Sequence, residues 1–378
     1  MSKLSRDEAR ELAASVRAAC DRLATEERVR KVAFGVDGKF RGFDTELWQA
    51  LCGQVGVAAI ALPEDLGGAG YGAAALGVVA HELGRALAPV PFLASAVLAT
   101  GLVLDSGSAG QPEVADKVAS FAQGERTAAA AVSADGGIWE RNAVSLSAST
   151  DGEGFMLDGS IRHVLNGAAA DDLVVVALVD GRPAIFLLDA AADGVTITAE
   201  RVLDATRPMA TVDLRGAAAL RLGDGGPVDE VIAHNVQLGM AVLSAEQVGA
   251  HERVLEIATD YACTRHQFGR AIGSFQAIKH RCADMLVELE WSRSASQAAL
   301  QSLDDEDGEI GWRAAMAKAV CSESLRNAAA ANVQIHGGIG FTWEDSAHLY
   351  LKRARTDEVL FGGPGLHWNR LAAEAKLI

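Results

Sequence analysis

Three short stretches near the C-terminus carry residue types suited to gripping an anionic ligand such as a pyrophosphate. Arg265-His266-Gln267-Phe268-Gly269 closes one long helical pattern. Gly273-Ser274-Phe275-Gln276-Ala277-Ile278-Lys279-His280 opens the next, and Gln334-Ile335-His336-Gly337-Gly338-Ile339-Gly340-Phe341 closes a third. Arg265 offers a planar fork of donors that matches phosphate oxygens. Paired glycines at a helix end let backbone approach a ligand, and their N–H groups attract anions. Gln276 and Gln334 add neutral amide contacts. Taken singly, each piece has a plainer explanation: an Arg at a helix C-terminus complements the dipole, and Gly-Gly after a helix caps it. Their order along the chain is what makes them specific.

Other chemistry finds no support. Gly68-x-Gly70-x-x-Ala73 imitates a dinucleotide fingerprint, but Pro63 and a polar insert separate it from the apolar run 57–62, and no acidic residue followed by a second strand comes after. His336-Gly337-Gly338 imitates a lipase oxyanion loop without the G-x-S-x-G elbow that such an enzyme needs. The nine histidines lack metal-ligand spacing, so no metal is expected. Five scattered cysteines, Cys20, Cys52, Cys263, Cys282 and Cys321, form no disulfide framework and no C-x-x-C pair.

The elements that must position the three stretches fall in three blocks. Residues 1–125 read as a helical N-terminal domain, with helical patterns over 6–32, 46–55 and 73–87 and a loop at 63–70. Residues 126–227 read as a β middle domain, a sandwich or barrel. There Val144-Ser145-Leu146-Ser147 and Val195-Thr196-Ile197-Thr198 alternate, and two apolar runs flank the hairpin signal Asp180-Gly181. Residues 228–378 read as a helical-bundle C-terminal domain. Leu243, Gln247, Ala250, Val254, Ile257 and Tyr261 step by three and four there, and further helices are expected over 275–302 and 311–335. The fold class is mainly α with a central β domain.

The formal charge is −16, which excludes a phosphate-tracking nucleic-acid binder. The 49% apolar content excludes disorder as the main state. Ala86 to Leu104 is nearly free of charge over a length that approaches a membrane span, but Pro89 and Pro91 interrupt it, so a buried, broken helix pair is expected. Met1-Ser2-Lys3-Leu4-Ser5 opens on no apolar signal segment. The expectation is a cytoplasmic, soluble protein with no membrane partner.

The R-x-x-F-G…F-Q and Q-x-x-G-G-x-G blocks are similar to the C-terminal signatures of the acyl-CoA dehydrogenase family. Leu62-Pro63-Glu64-Asp65-Leu66-Gly67-Gly68 and Glu82-Leu83-Gly84 resemble its N-terminal blocks, and Leu157-Asp158-Gly159 with Asn166-Gly167 resembles its mid-domain strand pair. The family binds FAD at a subunit interface and removes an α-proton from an acyl-CoA while the β-hydride goes to the flavin. For Arg265, Phe268, Gln276, Gln334, Gly337 and Gly338 the resemblance implies contact with the adenosine-pyrophosphate half of a FAD held by a neighbouring subunit. It also implies an electron-transfer flavoprotein as acceptor.

The chain departs from the family pattern around the reacting ring. The T-E-P-x-x-G-S-D loop is replaced by Ser133-Ala134-Asp135-Gly136-Gly137-Ile138-Trp139-Glu140. The ring-packing Trp of K-x-W-I-T-N is His163, and the flavin-bonding hydroxyl is Leu165. The glutamate of E-G-T aligns with Phe361, and the alternative base position, 26 residues before Arg265, is Gly239. Glu246 lies on the same helical face, about 10.5 Å farther along the axis, too far to serve the same substrate pose. Asp357 and Glu358 do not align. The catalytic residue is therefore unassigned, with Glu246 the nearest acid. A chain that keeps one half of a flavin site belongs in a mixed oligomer. It resembles the non-catalytic member of the α2β2 acyl-CoA dehydrogenases of actinobacterial steroid degradation. The alternatives are a self-sufficient homotetramer with Glu246 as base, and a flavin monooxygenase or redox-silent acyl-CoA binder on the same scaffold.

Overall fold

Ser5 opens the first helix by reciprocal capping. Its hydroxyl accepts from Glu8 N–H, and the Glu8 carboxylate accepts from Ser5 N–H. The computed structural model describes residues 3–35, 42–132, 140–152, 154–223 and 226–377. Met1, Ser2 and the 133–139 part of the expected flavin loop lie outside the described residues. The helical pattern over 6–32 resolves into α1 (Arg6–Leu23) and α2 (Glu26–Phe34), because the Thr25 hydroxyl accepts from Arg28 N–H and starts a new helix. Asp44 caps α3 (Thr45–Ala50), and its carboxylate also accepts from Arg28. Helical winding then continues to Val55 and stops at the left-handed Gly56.

The central N-terminal helix, α4 (Ala73–Arg85), is apolar almost all round. Its first N–H groups, on Ala73 and Ala74, donate to the distant Asp304 carboxylate at 2.5 and 3.1 Å. The charge-free stretch breaks at the prolines, as expected. It resumes as the helical Phe92–Ala99, which runs into α5 (Thr100–Asp105), and α6 (Pro112–Ala122) follows. All of 92–103 is buried, and no described helix is long and apolar enough to cross a membrane.

Among the described residues the middle region forms one seven-stranded sheet that closes on itself. β1 (Ala128–Ala131) lies parallel to β4 (Asp172–Val179). The closed path runs β4, β2 (Ser147–Asp151), β3 (Gly154–Leu165), β7 (Met209–Leu222), β5 (Arg182–Asp189) and back to β4, with β6 (Val195–Ala199) on β7. Asp180 and Gly181, at φ 49° and 77°, make the β4–β5 turn. The strand expected over 144–147 begins only at Ser147, although Leu146 C=O already accepts from Leu178 N–H at 2.9 Å. Leu157, Ile161, Val175, Phe186 and Leu214 fill the barrel.

The C-terminal helices are α7 (Val228–Thr264), α8 (Gln276–Asp305), α9 (Ile310–His336), α10 (Ala347–Val359) and α11 (Pro364–Glu374). α4 crosses α7 with backbone almost touching backbone. A Cβ on Gly249 would lie 1.9 Å from His81 C=O, and one on Gly84 would lie 2.1 Å from Glu246 C=O. Beside this crossing, Glu252 accepts from Arg85 at 2.7 Å and Arg293 at 2.5 Å, and its carboxylate lies 3.3 Å from His81 Nε2. His81 first, then Arg293 and Arg85, pull the Glu252 carboxyl down to about 2 against its burial.

Candidate functional site at the end of the helical bundle

α7 ends at Thr264, and the chain turns through a two-residue hairpin, β8 (His266–Gln267) and β9 (Arg270–Ala271). Phe268 and Gly269, at φ 53° and 77°, form its tip. Ile272 N–H donates to Arg265 C=O at 2.8 Å and closes its base. Phe268 is 91% exposed, an unusual place for a phenylalanine. Phe275, 6.1 Å from it edge to face, carries the Arg270 guanidinium 4.0 Å above its ring. Gln276 is the first residue of α8 and stays exposed, its Nε2 3.0 Å from His280 Nε2.

The third stretch meets the first two through one ring stack. Tyr261, a turn before Arg265, lies on His336, the last residue of α9, with centroids 4.1 Å apart. Gly337 then turns at φ 66°, and a Cβ on Gly337 or Gly338 would meet nothing within 4 Å. Gln334 is exposed one turn earlier. Arg265, Phe268, Gln276, Gln334, Gly337 and Gly338 thus gather as an open strip at one end of the bundle. A guanidinium fork, a glycine turn that leaves the backbone uncovered and an exposed aromatic ring fit the pyrophosphate and adenosine of a dinucleotide.

The other half of a flavin site does not fit its ligand. The cleft between the barrel and α7 is lined by Leu98, Ile161, His163, Leu165, Val236 and Phe361, and it holds about 40 Å³. That is room for a few waters, and the cleft formed by the described residues does not accommodate a tricyclic ring as it stands. His163 sits at φ 58° and is committed elsewhere: its backbone N–H donates to Glu200 Oε1 at 3.0 Å, and its Nδ1 lies 2.5 Å from Glu200 Oε2. Burial opposes the Glu200 charge, but His163 and the Thr211 hydroxyl outweigh it and hold the carboxyl below its usual range.

The described acids near the cleft, Glu246, Asp204, Asp357 and Glu358, are engaged in ion pairs. Glu246 is buried, 8% exposed, and takes hydrogen bonds from Arg207 and from Arg353 Nη1, the latter at 2.6 Å. Arg353 Nε donates to Asp204 at 2.6 Å, its Nη2 donates to Thr206, and Arg207 Nε lies 2.9 Å from Asp357. Burial raises the Asp357 carboxyl, and Glu246 and Asp204 raise it further, while the two arginines oppose them. Glu358 pairs with Arg326 at 2.6 Å and Arg355 at 2.8 Å. Glu246 does not line the cleft that Phe361 lines; it lines a separate small void with Arg207 and Arg353. Sequence reading missed Arg207, Arg353, Lys318 and His367. Lys318 carried a signal, a lysine four residues from Ala314 and from Ser322 on an apolar face, and all three are buried.

Two helical regions flanking a closed barrel define an acyl-CoA dehydrogenase architecture. The chain belongs to this family: the acyl-CoA dehydrogenase N-terminal domain matches residues 6–125 and the C-terminal domain residues 230–376. Acyl-CoA dehydrogenase IpdE2 of Mycobacterium tuberculosis (strain ATCC 25618 / H37Rv) is 35% identical over 337 residues, 88% of each chain. Among solved structures, a chain of the ChsE4–ChsE5 complex from Mycobacterium tuberculosis is 30% identical, covers both chains fully and superposes with a TM-score of 0.86. A variant of the Tcur3481–Tcur3483 steroid ACAD gives 29% identity, covers 98% of this chain and 99% of the other, and also gives a TM-score of 0.86. Butyryl-CoA dehydrogenase from Megasphaera elsdenii, at 20% identity, full coverage of both chains and a TM-score of 0.87, shares the fold.

Proposed function

We propose that this chain is the nucleotide-holding, base-lacking subunit of a FAD-dependent acyl-CoA dehydrogenase assembled with a related chain as an α2β2 tetramer. One observation supports the reading: the six strip residues stand open at the bundle end, while among the described residues the chain's own cleft has neither an acid nor space for the ring. Arg265 takes the pyrophosphate, Phe268 and Gln334 bracket the adenosine, and Gln276 with the Gly337-Gly338 turn closes around it. Residues 228–378 supply this strip, and residues 1–125 and 126–227 hold the bundle in place. Bound FAD supplies the hydride acceptor, and the partner chain supplies the ring pocket and the base. ChsE4–ChsE5 is a complex of two proteins and Tcur3481–Tcur3483 is a steroid ACAD, which supports a paired assembly and a bulky ring-bearing acyl-CoA thioester as substrate. An electron-transfer flavoprotein takes the electrons onward, in the cytoplasm. The test is co-expression with the related chain, followed by a count of flavins. Two FAD per tetramer are expected, with little FAD and no turnover for this chain alone. One FAD per chain and acyl-CoA oxidation by the lone protein would overturn the reading.

A further inference from the structure

The two positions at which the family resemblance places a base, Gly239 and Phe361, pack against each other, and Phe361 also lines the cleft between the barrel and α7. A Cβ on Gly239 would lie 2.9 Å from Phe361 Cζ and 2.7 Å from Leu98 Cδ2, so the ring rests against the bare backbone of α7. Little is left beside it, about 40 Å³. The side chain of the buried Asn235 also reaches this space: its Nδ2 donates to Leu98 C=O at 3.0 Å, and its Oδ1 has no partner among the described residues.

Phe361 is held there by a built brace. It sits at φ 56° and Gly362 at φ 92°, successive left-handed residues in the turn between α10 and α11. A side chain with a Cβ adopts that backbone only when its surroundings impose it. Two fully buried groups impose it here. The Lys318 ammonium donates to Glu358 C=O at 3.2 Å, Gly362 C=O at 3.3 Å and Ser322 Oγ at 2.9 Å, so all three of its protons are used. His367 Nε2 lies 3.0 Å from Phe361 C=O. Burial, helped by Lys318, pushes His367 down to about 4, so the ring is neutral and Nε2 carries the proton donated to that carbonyl. An ordinary core phenylalanine needs neither a left-handed backbone nor a buried ammonium beneath its turn.

We propose that Phe361 is a fixed internal occupant of this chain's acyl cleft, locked by Lys318 and His367, which closes that half of the assembly to any acyl thioester. A single residue thereby removes both the carboxylate and the room for a substrate. The inference rests on the subunit reading for what the cleft would otherwise hold, and on packing alone for its closure.

A double-mutant cycle on the full chain tests the packing, and calorimetric titration with butyryl-CoA tests the closure. In the wild type, Gly239→Ala should lower Tm by about 5 °C or more, since a methyl group has no space beside the ring. In the Phe361→Ala background the same change should shift Tm several-fold less, because the other close atom, Leu98 Cδ2, can move into the space that the ring vacates. Phe361→Leu, which keeps part of the bulk, should fall between and serves if Phe361→Ala does not fold. The wild-type chain should give no binding heat with butyryl-CoA. Additive Tm shifts, or one butyryl-CoA bound per wild-type chain, would overturn the proposal. The subunit reading fails separately, on the flavin count of the assembled tetramer, which the cycle does not touch.

Discussion

The ring of Tyr261 lies on that of His336 with centroids 4.1 Å apart and planes 23° from parallel. This contact ties the end of α7 to the end of α9, and so ties Arg265 to Gly337. Tyr261→Ala should weaken FAD retention by the assembled tetramer about fivefold, from an aromatic pair contributing about 1 kcal/mol. Tyr261→Phe should retain it. Flavin release on dilution, followed by fluorescence, distinguishes the two.

Arg265 should behave as a phosphate clamp. Arg265→Ala should raise the Kd for FAD in the tetramer about ten- to a hundredfold, the range for losing charge-assisted hydrogen bonds of about 1.5–3 kcal/mol. Arg265→Lys should recover only part of this, because it keeps the charge and loses the planar fork. Turnover per bound flavin should stay unchanged in both.

Glu246 should prove structural. Glu246→Gln should leave turnover per flavin in the tetramer within about twofold while lowering Tm. Arg353→Met should be far worse, costing about 3–5 kcal/mol, because it leaves Asp204 and Glu246 buried beside too little positive charge. Thermal unfolding and steady-state rates on the same samples separate the two roles. Loss of turnover in a fully folded Glu246→Gln tetramer would restore it as a base.

Lys318 should give stability an alkaline dependence. Burial pushes its ammonium down to about 8 in the folded chain, against an ordinary value of 10.5. Between those values the unfolded chain binds more protons, so stability rises with pH there. The wild type should therefore gain on Lys318→Met from pH 8 to above 10, by up to about 3 kcal/mol. Denaturant unfolding of both proteins across that window measures the difference.

Two glycines should respond in opposite ways. Gly249→Ala pushes a methyl group into the His81 carbonyl, so α4 and α7 must part and stability should fall by about 3 kcal/mol or more. Gly338→Ala meets nothing and should leave Tm alone, while weakening FAD binding where the backbone must come close. Tm and flavin retention, read on each variant, check both.

Legibility followed the reach of the interactions. The Asp180-Gly181 hairpin, the break at Pro89 and Pro91, and the helical stripe through Gln247 and Tyr261 depend on neighbours in sequence, and pattern alone located them. The break within 6–32 needed the Thr25 cap, which a run of good helix formers obscures. Loss of the carboxylate at position 361 was visible in sequence. That a phenylalanine there fills the cleft was not, because its ring meets Gly239 and Leu98 from distant helical segments. The Arg207–Glu246–Arg353 cluster was hidden for the same reason: its members come from a barrel loop and two helices that meet only in the fold.

Phe268 stands almost wholly in water at the tip of a two-residue hairpin, its ring met by the edge of Phe275 and otherwise left open. An unassembled copy therefore carries an adhesive spot on its surface. Synthesis in step with the polypeptide that covers this ring protects against clumping, and surplus copies made alone are the ones exposed to precipitation.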